Sequence, residues 1–305
     1  MSEESDIKGL IFDLQRFSLE DGPGIRTTVF FKGCPLRCEW CHNPESQSPH
    51  PELLFSPDRC VFCRACAAVC PEAAHRFDAE GAHTLDRRRC QVCGRCATIC
   101  PARALQIAGR EWTVRDVIAE AERDEFYYRH SGGGVTLSGG EPLSQPAFAL
   151  ALLSACRDRG WHTALETCGE APWTTLGRFV PLVSLFLYDF KESDPERHRR
   201  FTGVDNRRIL ANLERLNDAG AVISLRCPII PGCNDRPDHF AAIAALAERL
   251  PAIRDVRLLP FHPLAASKLA RLGRLNPFEG LSFPPQAAVS AWRAAIQAGT
   301  SKSVR

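Results

Sequence analysis

Cys34, Cys38 and Cys41 fall at spacings x3 and x2 within the stretch Gly33 to Asn43, G-C-P-L-R-C-E-W-C-H-N. Soft thiolates packed this closely select an iron–sulfur cluster or zinc. A cubane cluster has four irons, so three local cysteines leave one iron without a protein ligand. An open coordination position is where a substrate binds at catalytic metal sites. A zinc knuckle and a disulfide pair are the alternatives, and the lack of a fourth cysteine nearby at zinc spacing argues against zinc.

A second cysteine-rich region repeats itself. Cys60 to Pro71, C-V-F-C-R-A-C-A-A-V-C-P, recurs as Cys90 to Pro101, C-Q-V-C-G-R-C-A-T-I-C-P. Both copies read C-x2-C-x2-C-x3-C-P and resemble the run of a two-cluster bacterial ferredoxin. That resemblance implies a crossover of the fourth cysteine. One cubane takes Cys60, Cys63, Cys66 and Cys100, and the other takes Cys90, Cys93, Cys96 and Cys70. A structural zinc module is the alternative here. Together with the first loop, the pattern implies three 4Fe–4S clusters. The repeated unit is too small to bury a core alone, so residues 51–108 read as an insertion between two parts of a larger fold, 1–50 and 109–305. Cys156, Cys168, Cys227 and Cys233 fit no ligand pattern and carry no assigned role.

These cysteines need elements to position them. Lys8 to Leu14 reads as a first strand, the turn E-D-G-P-G-I-R over Glu20 to Arg26 bends the chain, and Thr27 to Phe31 reads as a second strand that runs into the cysteine loop. Thr113 to Asp116 has the form of a helix-capping box, with Val114, Val117, Ile118 and Ala121 at helical spacing behind it and the helix ending near Tyr127 and Tyr128. Val135 to Pro142, V-T-L-S-G-G-E-P, is a short strand ending in a double glycine, where a ligand could approach the backbone closely. Beyond it, helices over Ala147 to Arg159, up to Leu216 behind Asn206, Pro237 to Leu250 and Pro284 to Gln297 alternate with strands over His162 to Thr167, Leu185 to Phe190, Ala221 to Ile230 and Val256 to Phe261. Alternation of this kind predicts a parallel sheet wound by helices, with about six βα units against the eight of a full barrel. Glu166, Asp189, Lys191, Arg226 and His262 all fall near strand ends, which in a barrel converge on one mouth.

The 305 residues carry a net charge of +2, which creates no general field for nucleic acid or a membrane surface. No apolar stretch is long enough to span a membrane. The acidic, polar N-terminus is unlike a signal peptide. Fifteen cysteines in such a chain, mostly in metal-type clusters, read as reduced cytoplasmic thiols rather than disulfides.

C-x3-C-x2-C with an aromatic residue before its last cysteine resembles the cluster loop of radical S-adenosylmethionine (SAM) enzymes. D-G-P-G-I-R, S-G-G-E, Asp189-Phe190-Lys191 (D-x-K) and Leu258 to His262 (L-L-P-F-H) are similar to motifs of one subgroup, the glycyl-radical-enzyme activating enzymes. The resemblance covers nearly the full length and implies a partial (β/α)6 barrel with an inserted two-cluster ferredoxin-like domain. It implies that Cys34, Cys38 and Cys41 hold the SAM-binding cluster, and that Trp40, Cys41, His42, Gly140, Glu141, Asp189, Phe190, Lys191, Arg226 and His262 lie around SAM. Lys191 or Arg226 could meet the SAM carboxylate, and Glu166 or Asp189 its ammonium and ribose. Glu166 and Asp189 also correspond to positions that can hold a monovalent cation, although Glu166 is one methylene longer than the aspartate expected there.

The implied reaction is reductive cleavage of SAM to methionine and a 5′-deoxyadenosyl radical, which takes hydrogen from a backbone glycine of a partner glycyl radical enzyme. The insert resembles that of the glycerol or diol dehydratase, choline lyase, isethionate lyase and hydroxyphenylacetate decarboxylase activators. G-W-H-T-A-L-E-T and H-R-R-F-T-G-V lean toward the glycerol dehydratase type. Arg59, Arg64, Arg87, Arg88, Arg89 and Arg95 crowd the insert's cysteines and suit an acidic flavodoxin or ferredoxin as electron donor. A radical SAM enzyme acting on a small molecule or another protein, and a non-catalytic iron–sulfur carrier, are the alternatives; an open iron has no use in the second.

Overall fold

Along each central strand, apolar residues face out toward helices while small and polar residues face in, and this alternation builds the fold. The computed structural model describes residues 3–305. The central strands are β1 (Lys8–Ser18), β2 (Arg26–Phe31), β7 (Arg110–Thr113), β8 (Gly134–Gly139), β9 (His162–Thr167), β10 (Leu185–Asp189), β11 (Ile223–Ile229), β12 (Ile253–Pro260) and β13 (Ser303–Val304). They form one nine-stranded sheet in the order β13-β12-β11-β10-β9-β8-β2-β1-β7. From β2 through β13 every neighbouring pair is parallel, whereas β1 is antiparallel to both β2 and β7. Six full strands, β2 and β8 to β12, thus make the expected partial (β/α)6 barrel, and the two-residue β13 extends one edge.

Outward residues such as Val29, Phe31, Val135, Leu137, Phe186, Tyr188, Leu225 and Ile229 join the main apolar core with the helices. Those helices are α3 (Val114–Glu122), α4 (Glu125–Ser131), α5 (Pro146–Asp158), α6 (Trp173–Leu176), α7 (Pro195–Thr202), α8 (Arg207–Asp218), α9 (Pro237–Arg249), α10 (Ala265–Leu272) and α11 (Gln286–Gln297). The barrel interior differs. Arg26 is fully buried there and donates to the Thr136 hydroxyl at 2.6 Å and the Val135 carbonyl at 2.7 Å. Ser138 donates to Glu166 at 2.6 Å, and Ser224 donates to Asp255. These inward polar groups are partnered within the barrel, as burial requires.

The insert is a small unit of its own. β3 (Glu52–Phe55) pairs with β6 (Leu105–Ala108), and β4 (His75–Phe77) pairs with β5 (His83–Leu85). The one-turn helices α1 (Ala65–Val69) and α2 (Arg95–Ile99) each carry one buried cysteine, Cys66 and Cys96. These pack with Leu53, Phe55, Ala104 and Leu105. Helix α10 fastens the insert to the barrel through an apolar patch of Leu54, Ala108 and Leu272.

Local expectations meet three differences. The capping box at Thr113 and Asp116 forms, but its helix stops at Glu122 and a second one, α4, carries Tyr127 and Tyr128. Asn206 makes no cap for α8, because its amide reaches back to the Glu192 and Ser193 carbonyls at 2.9 Å each. Helix α10 and strand β13 were not foreseen. No helix among the described residues is long and apolar enough to cross a membrane.

Beyond β10 the chain is held by Glu192, which is fully buried. It accepts from the Ser193 and Asp194 amides at 2.8 and 3.0 Å and from both terminal nitrogens of Arg236 at 2.8 and 3.1 Å. Burial alone would raise its pKa, but these donors outweigh it and hold the carboxyl down at about 2, against 4.5 ordinarily. A depressed folded-state pKa contributes stability above the unfolded value that is lost as pH falls. Acid unfolding of the cluster-free protein should therefore steepen between about pH 4.5 and 2 in the native chain and less so in Glu192→Gln. Glu192→Ala, which takes the carboxylate acceptor from the Ser193 and Asp194 amides and leaves Arg236 paired with Asp238, should cost about 1–3 kcal/mol in urea unfolding.

Candidate active site

The cysteine loop has no regular secondary structure, so backbone bonds to its neighbours must place the thiols. The Gly33 amide donates to the Ser46 carbonyl at 2.7 Å, and the Gly33 carbonyl accepts from the Glu141 amide at 2.8 Å. The Arg37 and Glu39 amides donate to the Thr202 and Phe201 carbonyls at the end of α7, at 2.7 and 3.0 Å. The loop is thereby stitched to the ends of β8 and α7. Gly140 has a clear reason to be glycine: a Cβ there would stand 2.3 Å from the Gly33 carbonyl oxygen and 3.0 Å from that of Ser46. What approaches this backbone closely is the cysteine loop itself.

One cavity collects Cys34, Cys38 and Cys41 with Trp40, His42, Gly140, Glu166, Asp189, Lys191 and Arg226. Its charges are paired in advance. Lys191 donates to Asp189 at 2.7 Å, and Arg226 lies 3.4 Å from Glu166. Burial disfavours the Lys191 ammonium, yet Asp189 and Cys38 outweigh it and raise its pKa. Both carboxylates named for a monovalent cation are thus already neutralised by side chains. Burial pushes the Cys38 thiol up and the Cys41 thiol to about 11.

Three of the expected residues lie elsewhere. Glu141 is turned away from the cavity: its carboxylate accepts from the Cys168 amide at 2.8 Å, the Thr167 hydroxyl at 2.9 Å and the Leu143 amide at 3.1 Å. It ties β8 to β9 and meets the loop only through its backbone. Phe190 is buried on the far side, its ring stacked 5.5 Å from His239. His262 does not line the cavity but stacks on His42 at 3.6 Å. In the other direction, Cys168 lines the cavity and pairs with the Cys34 thiol, lowering the pKa of Cys34. A cysteine directly after strand β9 was the available signal.

The chemistry of the donors fits a polar ligand on a cluster. Trp40 Nε1, His42 Nε2 and Arg226 Nε are buried beside the three thiols and have no hydrogen-bond partner among the described residues. Buried polar atoms without partners call for an explanation, and three of them beside three thiols in one cavity leave donors free for a ligand.

In the insert, Cys60, Cys63, Cys66 and Cys100 surround one cavity. Cys70, Cys90, Cys93 and Cys96 surround a second. The two sets are those implied by the crossover of the fourth cysteine.

Sequence comparison bears on the same regions. Residues 87–247 match the radical SAM superfamily and residues 59–104 a 4Fe-4S dicluster domain. The first match begins inside the insert and leaves out the Cys34 loop, which the insert separates from the rest of the barrel. An isethionate sulfite-lyase activating enzyme of Nitratidesulfovibrio vulgaris is 44% identical over 91% of this chain and 92% of its own length. A benzylsuccinate synthase activating enzyme of Thauera aromatica is 46% identical over 88% of this chain and 83% of its own. The chain belongs to the radical SAM activating enzymes of glycyl radical enzymes. The fold agrees with a solved radical SAM methyltransferase from Sphaerobacter thermophilus, at a TM-score of 0.54 and 15% identity over 92% of this chain and 66% of that one.

The Gly33–Gly140 contact makes a sharp expectation. Gly140→Ala forces the cysteine loop off β8 and should destabilise the protein by about 2 kcal/mol or more in urea unfolding. Gly160→Ala, where an added Cβ meets nothing within 4 Å and only the left-handed backbone at φ +71° resists it, should cost about 1–2 kcal/mol and measures backbone strain alone.

Proposed function

We propose that the cavity at the barrel mouth binds SAM on a cluster held by Cys34, Cys38 and Cys41, and that the protein's substrate is a backbone glycine of a partner glycyl radical enzyme. The observation that carries this reading is the meeting of three thiols with orphaned Trp40, His42 and Arg226 nitrogens in one cavity. When bound, the reduced cluster and SAM supply methionine, 5′-deoxyadenosine and the hydrogen-abstracting radical chemistry between them. The chain's own residues orient and shield. Lys191 and Arg226 offer the positive charge a carboxylate needs, and Asp189 and Glu166 offer acceptors for an ammonium or hydroxyls. Leu36, Trp40, Pro228 and Leu259 line the same cavity and exclude water. Glycine suits the reaction because no side chain covers its Cα.

Residues 51–108 are the inserted unit in this reading, with two further 4Fe–4S clusters in the cysteine sets described above. Of the six arginines around it, Arg59, Arg64, Arg88, Arg89 and Arg95 are exposed. Arg87 is not free, since it donates to the Leu53 and Arg271 carbonyls at 2.7 and 2.6 Å. The five exposed cations support docking of a reduced, acidic flavodoxin or ferredoxin. Thiolate ligands of this number suit a reducing, cytoplasmic setting. The relatives' targets range from a sulfite-lyase to a synthase at nearly equal identity. Overall similarity therefore does not single out the partner.

Reconstituted protein should hold about twelve irons per chain and form 5′-deoxyadenosine from SAM and a strong reductant under anaerobic conditions. Cys38→Ala should keep about eight irons and form none. Zinc in place of iron, or product unaffected by the substitution, would retire the reading. For the electron donor, reduction by flavodoxin should slow with added salt, and more than tenfold at low salt in Arg64→Glu/Arg95→Glu. A rate indifferent to both would exclude docking on the basic face.

A further inference from the structure

Two histidines of the insert belong to none of the motifs above. His75 on β4 and His83 on β5 are both buried, in the hairpin that joins the two cysteine runs. Phe55 and Phe77 flank His83 with ring centroids 4.4 and 4.3 Å away, and Phe77 is stacked on it. His83 Nδ1 lies 3.4 Å from Cys60 Sγ. Its Nε2 lies 3.0 Å from His75 Nδ1. His75 borders the other cavity, the one around Cys70, Cys90, Cys93 and Cys96. The pair spans the partition between the two cavities, yet His83 reaches a cysteine of only one.

The proton positions follow from counting donors. A neutral imidazole has one donor and one acceptor nitrogen, and a protonated one has two donors. Cys60, as a ligating thiolate, can only accept. His83 therefore donates from Nδ1 to Cys60, the nearer sulfur at 3.4 Å, while its Nε2 faces His75 Nδ1 at 3.0 Å and stands 3.9 Å from Cys66 Sγ. In the opposite arrangement a nitrogen lone pair would face the thiolate. Hydrogen bonds to cluster sulfurs favour the more negative, reduced state, and they are one of the levers that set cluster potentials.

We propose that His83, oriented by His75, donates a hydrogen bond to Cys60 and raises the potential of the cluster held by Cys60, Cys63, Cys66 and Cys100 above that of its neighbour. The two repeats, alike in cysteine spacing, then become unequal, and the Cys60 side is where an electron rests. The inference depends on the iron–sulfur reading of the insert. A competing use exists on the same atoms, because a Cys66 sulfur and nitrogens of His75 and His83 lie within 4.8 Å of one another, which also suits a single metal ion.

The test is a redox titration of the reconstituted full chain, followed by electron paramagnetic resonance. His83→Phe keeps an aromatic ring between Phe55 and Phe77 but removes the donor, whereas His83→Asn keeps a donor near the position of Nδ1. With iron and sulfide unchanged, His83→Phe should lower one auxiliary potential by about tenfold in the reduction equilibrium, ~59 mV for one electron. His83→Asn should restore most of it, His75→Phe should lower the same potential by less, and the other two clusters should not move. Unchanged potentials at full iron content would overturn the proposal. So would iron loss from both His83 variants, the mark of a structural role, or one zinc per chain that disappears with His83→Phe. An unsubstituted protein without iron would remove the iron–sulfur reading itself, a distinguishable result.

Discussion

The contact between the backbones of Gly33 and Gly140 is the constraint on which the site depends. A loop of irregular structure must hold three thiols within a few ångströms of one another and of several strand ends. Its own sequence cannot do this, since it has neither a helix nor a ladder to fix it. The Gly33 carbonyl takes the Glu141 amide, the Gly33 amide gives to Ser46, and no side chain at Gly140 keeps the two apart. The loop therefore inherits the rigidity of β8. The far side of the loop is held in the same way by the end of α7, where Trp40 also packs on Phe201 at 5.4 Å. Preorganisation of this kind lets a site bind without first ordering its own ligands.

The second requirement is charge. Isolated charges are costly to bury, and the barrel mouth buries four. The structure meets that cost by pairing each cation with a carboxylate, Arg226 on β11 with Glu166 two strands away on β9, and Lys191 with Asp189 two residues before it. The arrangement suits a zwitterionic ligand, whose own carboxylate and ammonium can substitute for one member of each pair. It also explains the polar interior of the barrel, where Ser138 and Thr136 serve residues that would otherwise be unsatisfied.

Much of this was legible in the sequence where the signal is local. Strand β9 spans His162–Thr167 as expected, because a turn precedes it at Gly160 and its residues alternate between barrel and helix faces. The two cysteine sets of the insert were legible because one spacing occurs twice. What escaped depends on contacts distant in sequence. Whether Glu141 points into the cavity or behind it is decided by the Cys168 amide on the next strand. Asn206 has the right type for a cap but finds stronger partners across a loop. Helix α10 follows a Pro-rich turn and presents only a narrow apolar stripe, which becomes a core position only when Leu272 meets Leu54 and Ala108. His75 and His83 lie in a hairpin with no motif, and only the pairing of β4 with β5 brings them between the two cysteine-lined cavities.

The insert and the barrel share more than a chain. Lys32 is the residue just before Gly33, and it is buried; its ammonium donates to the Glu45 carbonyl at 2.7 Å and to Glu52 at 2.8 Å. Glu52 opens β3, the first strand of the insert, and also receives Arg274 beyond α10 at 2.7 Å. A single carboxylate thus links the base of the cysteine loop, the start of the insert and the segment after α10. An insertion tethered only at its two ends would be free to turn about them. This one is pinned by an ion-pair network and an apolar patch at the side nearest the loop, so the cysteine sets keep a fixed position relative to Cys34, Cys38 and Cys41. The network supplies that fixed geometry without a regular element crossing from one unit to the other.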